Sequence, residues 1–139
     1  MSLNQIFTIA GSGMSAQTLR LTTTASNLSN AEVASSKPET TYHPRYPVFE
    51  TIQQQANHAF AQDSVGVAVK EIIESEAVPI KQHNPNHPLA DENGFIYLPD
   101  VNVVEEMTNM ISASRSYQMN IEVLNTTKRL MMQTLQLGE

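Results

Sequence analysis

The residues best placed to do chemistry are two histidines and an aspartate in the run KQHNPNHPLAD. His83, His87 and Asp91 stand four residues apart, a spacing that would put three metal ligands on one face of a helix. Pro85 and Pro88 fall between them, and proline interrupts helical hydrogen bonding. Histidines in such a loop are more often surface residues, so we expect neither a metal site nor a bound cofactor.

Motifs of nucleophilic and nucleotide chemistry are also missing from the sequence. It contains no G-x-S-x-G elbow, no phosphate-binding P-loop and no H-E-x-x-H helix. Gly11 and Gly13 do not form a dinucleotide fingerprint, because no strand precedes them and no third glycine follows. The sequence therefore offers no catalytic residues, and we expect the protein not to be an enzyme.

Composition narrows the remaining functional classes. The 139 residues include no cysteine and carry a formal net charge of -6. Without cysteine, disulfides and zinc–thiolate sites are excluded, and the acidic balance disfavours nucleic-acid binding. No segment approaches the roughly 20 apolar residues of a membrane span, and the N-terminus lacks a basic leader followed by an apolar run. We expect no direct membrane span and no cleaved signal peptide.

The dominant element of the sequence is the stretch 101–137, which contains neither glycine nor proline. Its residues fall into two largely apolar series with seven-residue spacing, and charged residues such as Glu105 and Arg115 lie outside both. Asp100 or Asn102 could cap the start of a helix roughly 55 Å long. So long a helix requires a partner. The two series are Val103, Met110, Tyr117, Leu124, Met131 and Met107, Ser114, Ile121, Lys128, Leu135.

Residues 1–31 repeat the seven-residue spacing more weakly. Gly11 and Gly13 each cost about 1 kcal/mol relative to alanine in a helix, so we expect a break or a start near Gly13. Arg20 is the one charged side chain in this stretch, which suits burial among several neighbours because no other ion needs desolvation. The packing seam predicted for both ends comprises Phe7, Met14, Leu21, Leu28, Val103, Met107, Met110, Tyr117, Ile121, Leu124, Met131 and Leu135.

All seven prolines lie within residues 32–100, and this middle part also carries the whole net charge. The run 32–47 has the composition of a loop or extended chain, because a residue before proline is pushed away from the helical region. Alternating valines over 64–70 predict a strand or the first arm of a hairpin, and 94–99 predicts a short strand. The stretch 51–63 is ambiguous. We place this acidic middle on the outside.

These observations predict a mainly α fold. Long N- and C-terminal helices would pair as an antiparallel coiled coil, with an extended proline-rich middle containing short β-strands. We expect three regions: 1–31 as the N-terminal helix of a coiled-coil inner domain, 32–100 as an extended outer segment with short strands, and 101–139 as the C-terminal helix of the inner domain. This organisation is typical of a polymerising structural subunit.

Other functional classes make different demands on the chain. A soluble coiled-coil adaptor or secretion chaperone would be a folded dimer in dilute solution. An enzyme would need a pocket in the middle segment lined by histidines or acids. A membrane-surface helix fits poorly, because such helices carry Lys or Arg on the polar face and residues 1–31 offer Arg20 alone.

Short motifs at both ends resemble those of bacterial flagellar rod and hook proteins. Residues 25–31, ASNLSNA, resemble the N-L-A-N-A motif of that family, with Ser29 in place of the usual alanine. Residues 101–107 and 113–120, VNVVEEM and ASRSYQMN, resemble its C-terminal signature, which ends in A-x-R-x-Y-x-x-N. The chain lacks the T-x-G-Y-K continuation that longer members carry after the first motif. The motif positions are Asn27, Leu28, Asn30, Ala31, Glu106, Met107, Arg115, Tyr117 and Asn120.

The resemblance, strongest to the short members of the flagellar basal-body rod family, implies a structural subunit of the proximal rod. Its terminal helices would polymerise helically, as homo- and hetero-oligomers, to transmit torque. The implied partners are other flagellar rod proteins, basal-body components and the flagellar type III export apparatus. The implied location is the basal body of the bacterial flagellum, in the rod that crosses the periplasm, reached without a cleaved signal peptide.

Overall fold

A computed structural model describes residues 3–53 and 65–136. Predictions for residues 1–2, 54–64 and 137–139, including most of the ambiguous stretch, lie outside the described residues. In chain order, the elements are helix α1 (Leu3–Asn30), a 3-10 turn (Pro38–Thr40), strands β1 (Arg45–Gln53), β2 (Val65–Glu74), β3 (Ile80–His83) and β4 (Phe95–Leu98), and helix α2 (Val103–Gln136).

Helix α1 is continuous, and the break expected near Gly13 does not occur. A Cβ atom on Gly13 would lie 3.0 Å from Nδ2 of Asn120 in α2. The missing side chain therefore lets the two helices approach closely at this point. Packing against α2 outweighs the low helix propensity of glycine.

The two helices pack against each other in opposite directions. Asn27, near the end of α1, bonds to Glu106 in the first turns of α2. Earlier in α1, the Arg20 guanidinium donates to Oδ1 of Asn109 at 2.9 Å, further along α2. Neither helix in the described ranges carries an apolar run sufficient to span a membrane.

The prediction of a mainly α fold is wrong, because the described residues form a mixed α/β structure. The middle segment contains two antiparallel two-stranded sheets, β1 with β2 and β3 with β4. Strand β1 begins inside the run 32–47, for which the prolines predict loop or extended chain. Pro47 is accommodated opposite Ile72, and the register shifts between Val48 and Phe49. Pairing with a distant strand outweighs the local effect of proline.

The predicted coiled-coil pairing is wrong as well. The buried residues of α2 are Glu106, Ala113 and Thr127, which are small or polar. Met107 and Leu135 of the predicted seam are 52% and 68% exposed. Close approach and hydrogen bonds therefore contribute to the contact between the helices, and one of the two predicted apolar series of α2 stays exposed, whereas a coiled coil requires apolar knobs in the facing holes.

The second sheet is tied to the segment that follows α1. In this sheet β3 pairs with β4 from Ile80 opposite Leu98 to His83 opposite Phe95. Ser35 adds a bridge to Tyr97, whose backbone N–H and C=O both bond to it at 3.0 and 2.8 Å. The β3–β4 sheet is therefore anchored to the chain that leaves the N-terminal helix.

Two glycines of α1 give a test of this packing. Gly11 has nothing within 4 Å of a Cβ atom built on it, so Gly11→Ala should raise the free energy of unfolding by about 0.5–1 kcal/mol through helix propensity. Gly13→Ala should gain less or destabilise, because its Cβ would crowd Asn120. Thermal unfolding followed by far-UV circular dichroism measures both, and equal gains would contradict the packing.

Candidate functional site

A fully buried asparagine lies where α1, β1 and α2 meet. The Nδ2 of Asn27 donates to the backbone oxygen of Arg45 at 3.0 Å and to Oε2 of Glu106 at 3.1 Å. Its Oδ1 accepts from the Arg45 backbone N–H at 2.9 Å and from the Tyr42 hydroxyl at 2.8 Å. Two donor and two acceptor positions of the amide are thus satisfied. We call Asn27, Tyr42, Arg45 and Glu106 the polar hub.

Glu106 supplies the hub's carboxylate from the beginning of α2, where its side chain is 2% exposed. Asn102 caps this helix, its Oδ1 accepting from the N–H groups of Val104 and Glu105 at 3.1 and 3.3 Å. The N-terminal end of a helix favours a negative charge. Burying a carboxylate without hydrogen-bond donors is costly. The Asn27 amide supplies a donor and so allows Glu106 to be buried here.

Tyr42 extends the hub toward the loop between α1 and β1. Its hydroxyl lies 3.1 Å from the Oγ of Ser26 and donates to Asn27. The neighbouring Pro44 is among the most completely buried side chains. The loop after α1 is therefore fixed to the helix that precedes it, although two prolines, Pro38 and Pro44, interrupt its path.

A concentration of negative charge surrounds the hub. Burial, followed by the charges of Glu106, Glu105 and Asp100, raises the pKa of the Tyr46 phenol above its ordinary 10.0. The folded protein thus favours the neutral phenol. The contribution of Tyr46 to the free energy of unfolding is therefore fully present below pH 10 and is lost as the pH rises through its folded-state pKa.

The two histidines considered as metal ligands make other contacts. His83 packs edge-on against the ring of Phe95, with ring centroids 5.0 Å apart. The Nδ1 of His87 accepts from the backbone N–H of Leu89 at 3.1 Å. Within residues 3–53 and 65–136, no group of three or more metal-ligating side chains comes together.

Asp91, the third candidate ligand, organises the turn between β3 and β4. Its Oδ1 accepts from the backbone N–H groups of Asn93 and Phe95 at 2.9 and 2.8 Å. The bond from Phe95, aided by the bond from Asn93 and the charge of Lys81, holds the pKa of Asp91 below 3.8 against desolvation. Gly94 completes the turn with a φ of 78°, a conformation that glycine adopts without strain.

The predicted seam residues are divided between two environments. The members on α1 and the α2 members that follow at seven-residue intervals from Met110 are half-buried. Val103 and the members of the series that begins at Met107 are exposed. The half-buried members are Phe7, Met14, Leu21, Leu28, Met110, Tyr117, Leu124 and Met131. The exposed members are Val103, Met107, Ile121 and Leu135.

One residue from each of the two family motifs lies in the polar hub. Asn27 of the first motif bonds directly to Glu106 of the second, a pairing that sequence reasoning did not foresee. The contacts of Asn27 with Tyr42 and Arg45 were not predicted either. The available signal was a helix with one charged side chain, Arg20, and many polar residues that require partners. The other motif residues are spread along the chain, and Asn120 lies beside Gly13, away from the hub. Leu28, Asn30, Tyr117 and Asn120 are half-buried, Ala31 is buried, and Met107 and Arg115 are exposed.

The opposite end of the helix pair carries an open groove. Ile6 of α1 and Met119, Val123 and Thr127 of α2 form most of its lining. Met119 and Val123 are 60% and 45% exposed. Apolar and hydroxyl-bearing walls of this kind suit packing against another protein better than proton or group transfer.

Because of the polar hub, replacing Asn27 should destabilise the protein strongly, whereas replacing Asn30, three residues later, should have a small effect. Asn27→Ala leaves the Glu106 carboxylate and the Arg45 N–H unpaired, so the free energy of unfolding should fall by about 3 kcal/mol. Asn30→Ala, the matched control, removes bonds to Ser26 and Ser29 within the same helix, and should cost about 0.5 kcal/mol. Urea unfolding measures both, and equally small losses would contradict the hub.

The β3–β4 turn predicts a loss of order in acid. Because the folded-state pKa of Asp91 is depressed, its stabilising contribution is present above 3.8 and is lost as the pH falls through the lower folded value. Hydrogen exchange at the Phe95 amide should therefore accelerate relative to the β1–β2 sheet. Asp91→Asn should show fast exchange without this acid step, and retention of the step in that variant would assign it to another group.

Two models of known protein families match the two ends of the chain. A family model described as Flagella basal body rod protein matches residues 7–34, and one described as Flagellar basal body rod FlgEFG protein C-terminal matches residues 92–137. The chain is 47% identical to Flagellar basal-body rod protein FlgC of Salmonella typhimurium, and 46% identical to that of Yersinia enterocolitica. Identity to FlgC of Buchnera aphidicola subsp. Baizongia pistaciae is 34%. Each comparison covers 100% of both chains, and the chain therefore belongs to the flagellar basal-body rod protein family, within its FlgC branch.

Proposed function

We propose that this chain, a structural subunit of the flagellar basal-body rod, polymerises helically through α1 and α2 and transmits torque by rigid packing. Residues 1–31 and 101–139 would form the inner domain of the assembly. Residues 32–100 would form its outer segment. Its neighbours would be other copies and other rod proteins.

The observation that carries this proposal is the apolar surface that α2 leaves uncovered. Val104, Met119 and Leu135 are 74%, 60% and 68% exposed, respectively. Full burial of such a side chain contributes about 1.5–3 kcal/mol. Since α1 packs on one side of α2 and the β1–β2 sheet packs on α1, neighbouring subunits are the natural source of this burial.

The polar hub supports the same function by fixing the shape of each subunit. Rotation or sliding of α1 against α2 would separate the Asn27 amide from the Glu106 carboxylate, leaving both without these buried partners. Such a change is expensive in a low-dielectric interior. A subunit that resists deformation in this way suits a rod that carries mechanical load.

We further propose that the protein acts without catalysis, since Asp91 and His87, the side chains that could do chemistry, bond within their own turn. The rod location implies a position that crosses the periplasm. Delivery would use the flagellar type III export apparatus, without cleavage of a signal peptide. The basis for both statements is membership of the FlgC branch.

Locating the chain in purified basal bodies tests the proposal, and one substitution tests its packing basis. Ile121 is 38% exposed on α2, so Ile121→Asp should leave the subunit folded and abolish incorporation and motility. Gln118→Asp, on the same helix and also exposed, is the matched control and should retain both. Secretion into the medium checks that export continues. Full motility with Ile121→Asp would contradict the proposed assembly surface.

A further inference from the structure

The turn between β3 and β4 contains the one asparagine of the chain that is followed directly by glycine, the pair Asn93 and Gly94. An asparagine side chain is modified when the backbone nitrogen of the next residue attacks its carboxamide carbon. Glycine permits this attack most readily, because it has no side chain to hinder the approach of the two groups. The turn therefore holds a reactive carboxamide next to an accessible backbone nitrogen.

The fold requires glycine at the second position of this pair. Gly94 has a φ of 78°, a conformation that other residues adopt only with strain. A Cβ atom built on Gly94 would also lie 3.0 Å from the Cβ of Pro85 and 3.3 Å from the Nε2 of His83. The fold thus keeps the reactive pair in place, because a residue that would slow the attack does not fit.

The Asn93 side chain is exposed to water. It lines an open groove together with Lys37, Glu39 and Tyr97. Within residues 3–53 and 65–136, Asn93 takes part in hydrogen bonding through its backbone N–H, and its carboxamide has no hydrogen-bond partner. The carboxamide is therefore free to rotate toward its own backbone, and water can reach it.

Asp91 restrains the nitrogen that would attack. The Gly94 N–H donates to the backbone oxygen of Asp91 at 2.9 Å. The Oδ1 of Asp91 accepts from the backbone N–H groups of Asn93 and Phe95 at 2.9 and 2.8 Å. Attack on the Cγ of Asn93 requires the Gly94 nitrogen to lose its proton and to leave its bond with Asp91. The reaction therefore requires the turn to open.

We propose that Asn93 is a site of spontaneous deamidation, and that the hydrogen bonds of Asp91 set its rate. The Gly94 nitrogen loses its proton to water and forms a bond to the Cγ of Asn93. The Cγ–Nδ2 bond breaks, and Nδ2 takes a proton from water and leaves as ammonia. A second water molecule opens the resulting succinimide at either carbonyl, which gives aspartate or isoaspartate. This inference does not depend on the proposed rod function.

Either product changes the β3–β4 sheet. Both products add a negative charge beside Asp91 and Glu92, and isoaspartate also lengthens the main chain by one methylene. The longer chain displaces the N–H groups of Gly94 and Phe95 from their acceptors on Asp91. Strands β3 and β4 have four residues each, and so small a two-stranded sheet depends on its turn. Modification should therefore loosen β3–β4 and leave β1–β2 intact.

Peptide mapping of the full chain by mass spectrometry, after incubation at mildly alkaline pH, tests the site. Conversion appears as the mass difference between a carboxyl and a carboxamide group, and it should be slow in the folded wild type and faster in urea. Asp91→Ala removes two hydrogen bonds from the turn and should accelerate conversion of Asn93 about tenfold. Glu92→Ala, the matched control, removes the same charge without removing a hydrogen bond and should keep the wild-type rate.

Two further controls separate opening of the turn from general unfolding. Asn93→Gln should show little conversion at this position, because its longer side chain closes a ring much less readily. Asn109 and Asn125 on α2 should react no faster in Asp91→Ala than in the wild type. Equal rates at Asn93 in Asp91→Ala and the wild type, equal acceleration by Glu92→Ala, or parallel acceleration at Asn109 and Asn125 would each overturn the inference.

Discussion

The buried hydrogen bond between Asn27 and Glu106 is the constraint on which the rest of the structure depends. A carboxylate that is 2% exposed requires a donor, and the donor comes from the far end of the chain. The intervening segment must therefore leave α1 and return to the start of α2 at one place. Arg45 joins the same amide through its backbone, which fixes where β1 begins.

This arrangement separates packing within the subunit from the contacts between subunits that we propose for the terminal helices. The surfaces that hold α1 to α2 use small side chains and hydrogen bonds, including Gly13 beside Asn120 and Arg20 with Asn109. Polar contacts of this kind define one relative position of the helices, because buried groups lose their partners if it changes. The larger apolar side chains are divided, since Leu21 and Leu124 are half-buried whereas Met107 and Leu135 stay exposed.

The sequence indicated the long C-terminal helix well, because its heptad pattern and the Asn102 cap are local features. Seven-residue spacing did not reveal which stripe faces α1, since Met107 and Ile121 have the same period as Ala113 and Thr127. Strand β1 was missed because its stability comes from pairing with a distant strand. The burial of Glu106 was equally invisible, for its partner lies 79 positions away and a glutamate beside a heptad seam is ordinarily solvated.

A double-mutant cycle between Asn27→Ala and Glu106→Ala, measured by urea unfolding of the full chain, tests the central claim most directly. If the amide and the carboxylate depend on each other, the double variant should lose less stability than the two single losses together, by about 1–3 kcal/mol. Additivity within about 0.3 kcal/mol would show that the two residues act independently, and would contradict the hub as the link between the chain ends.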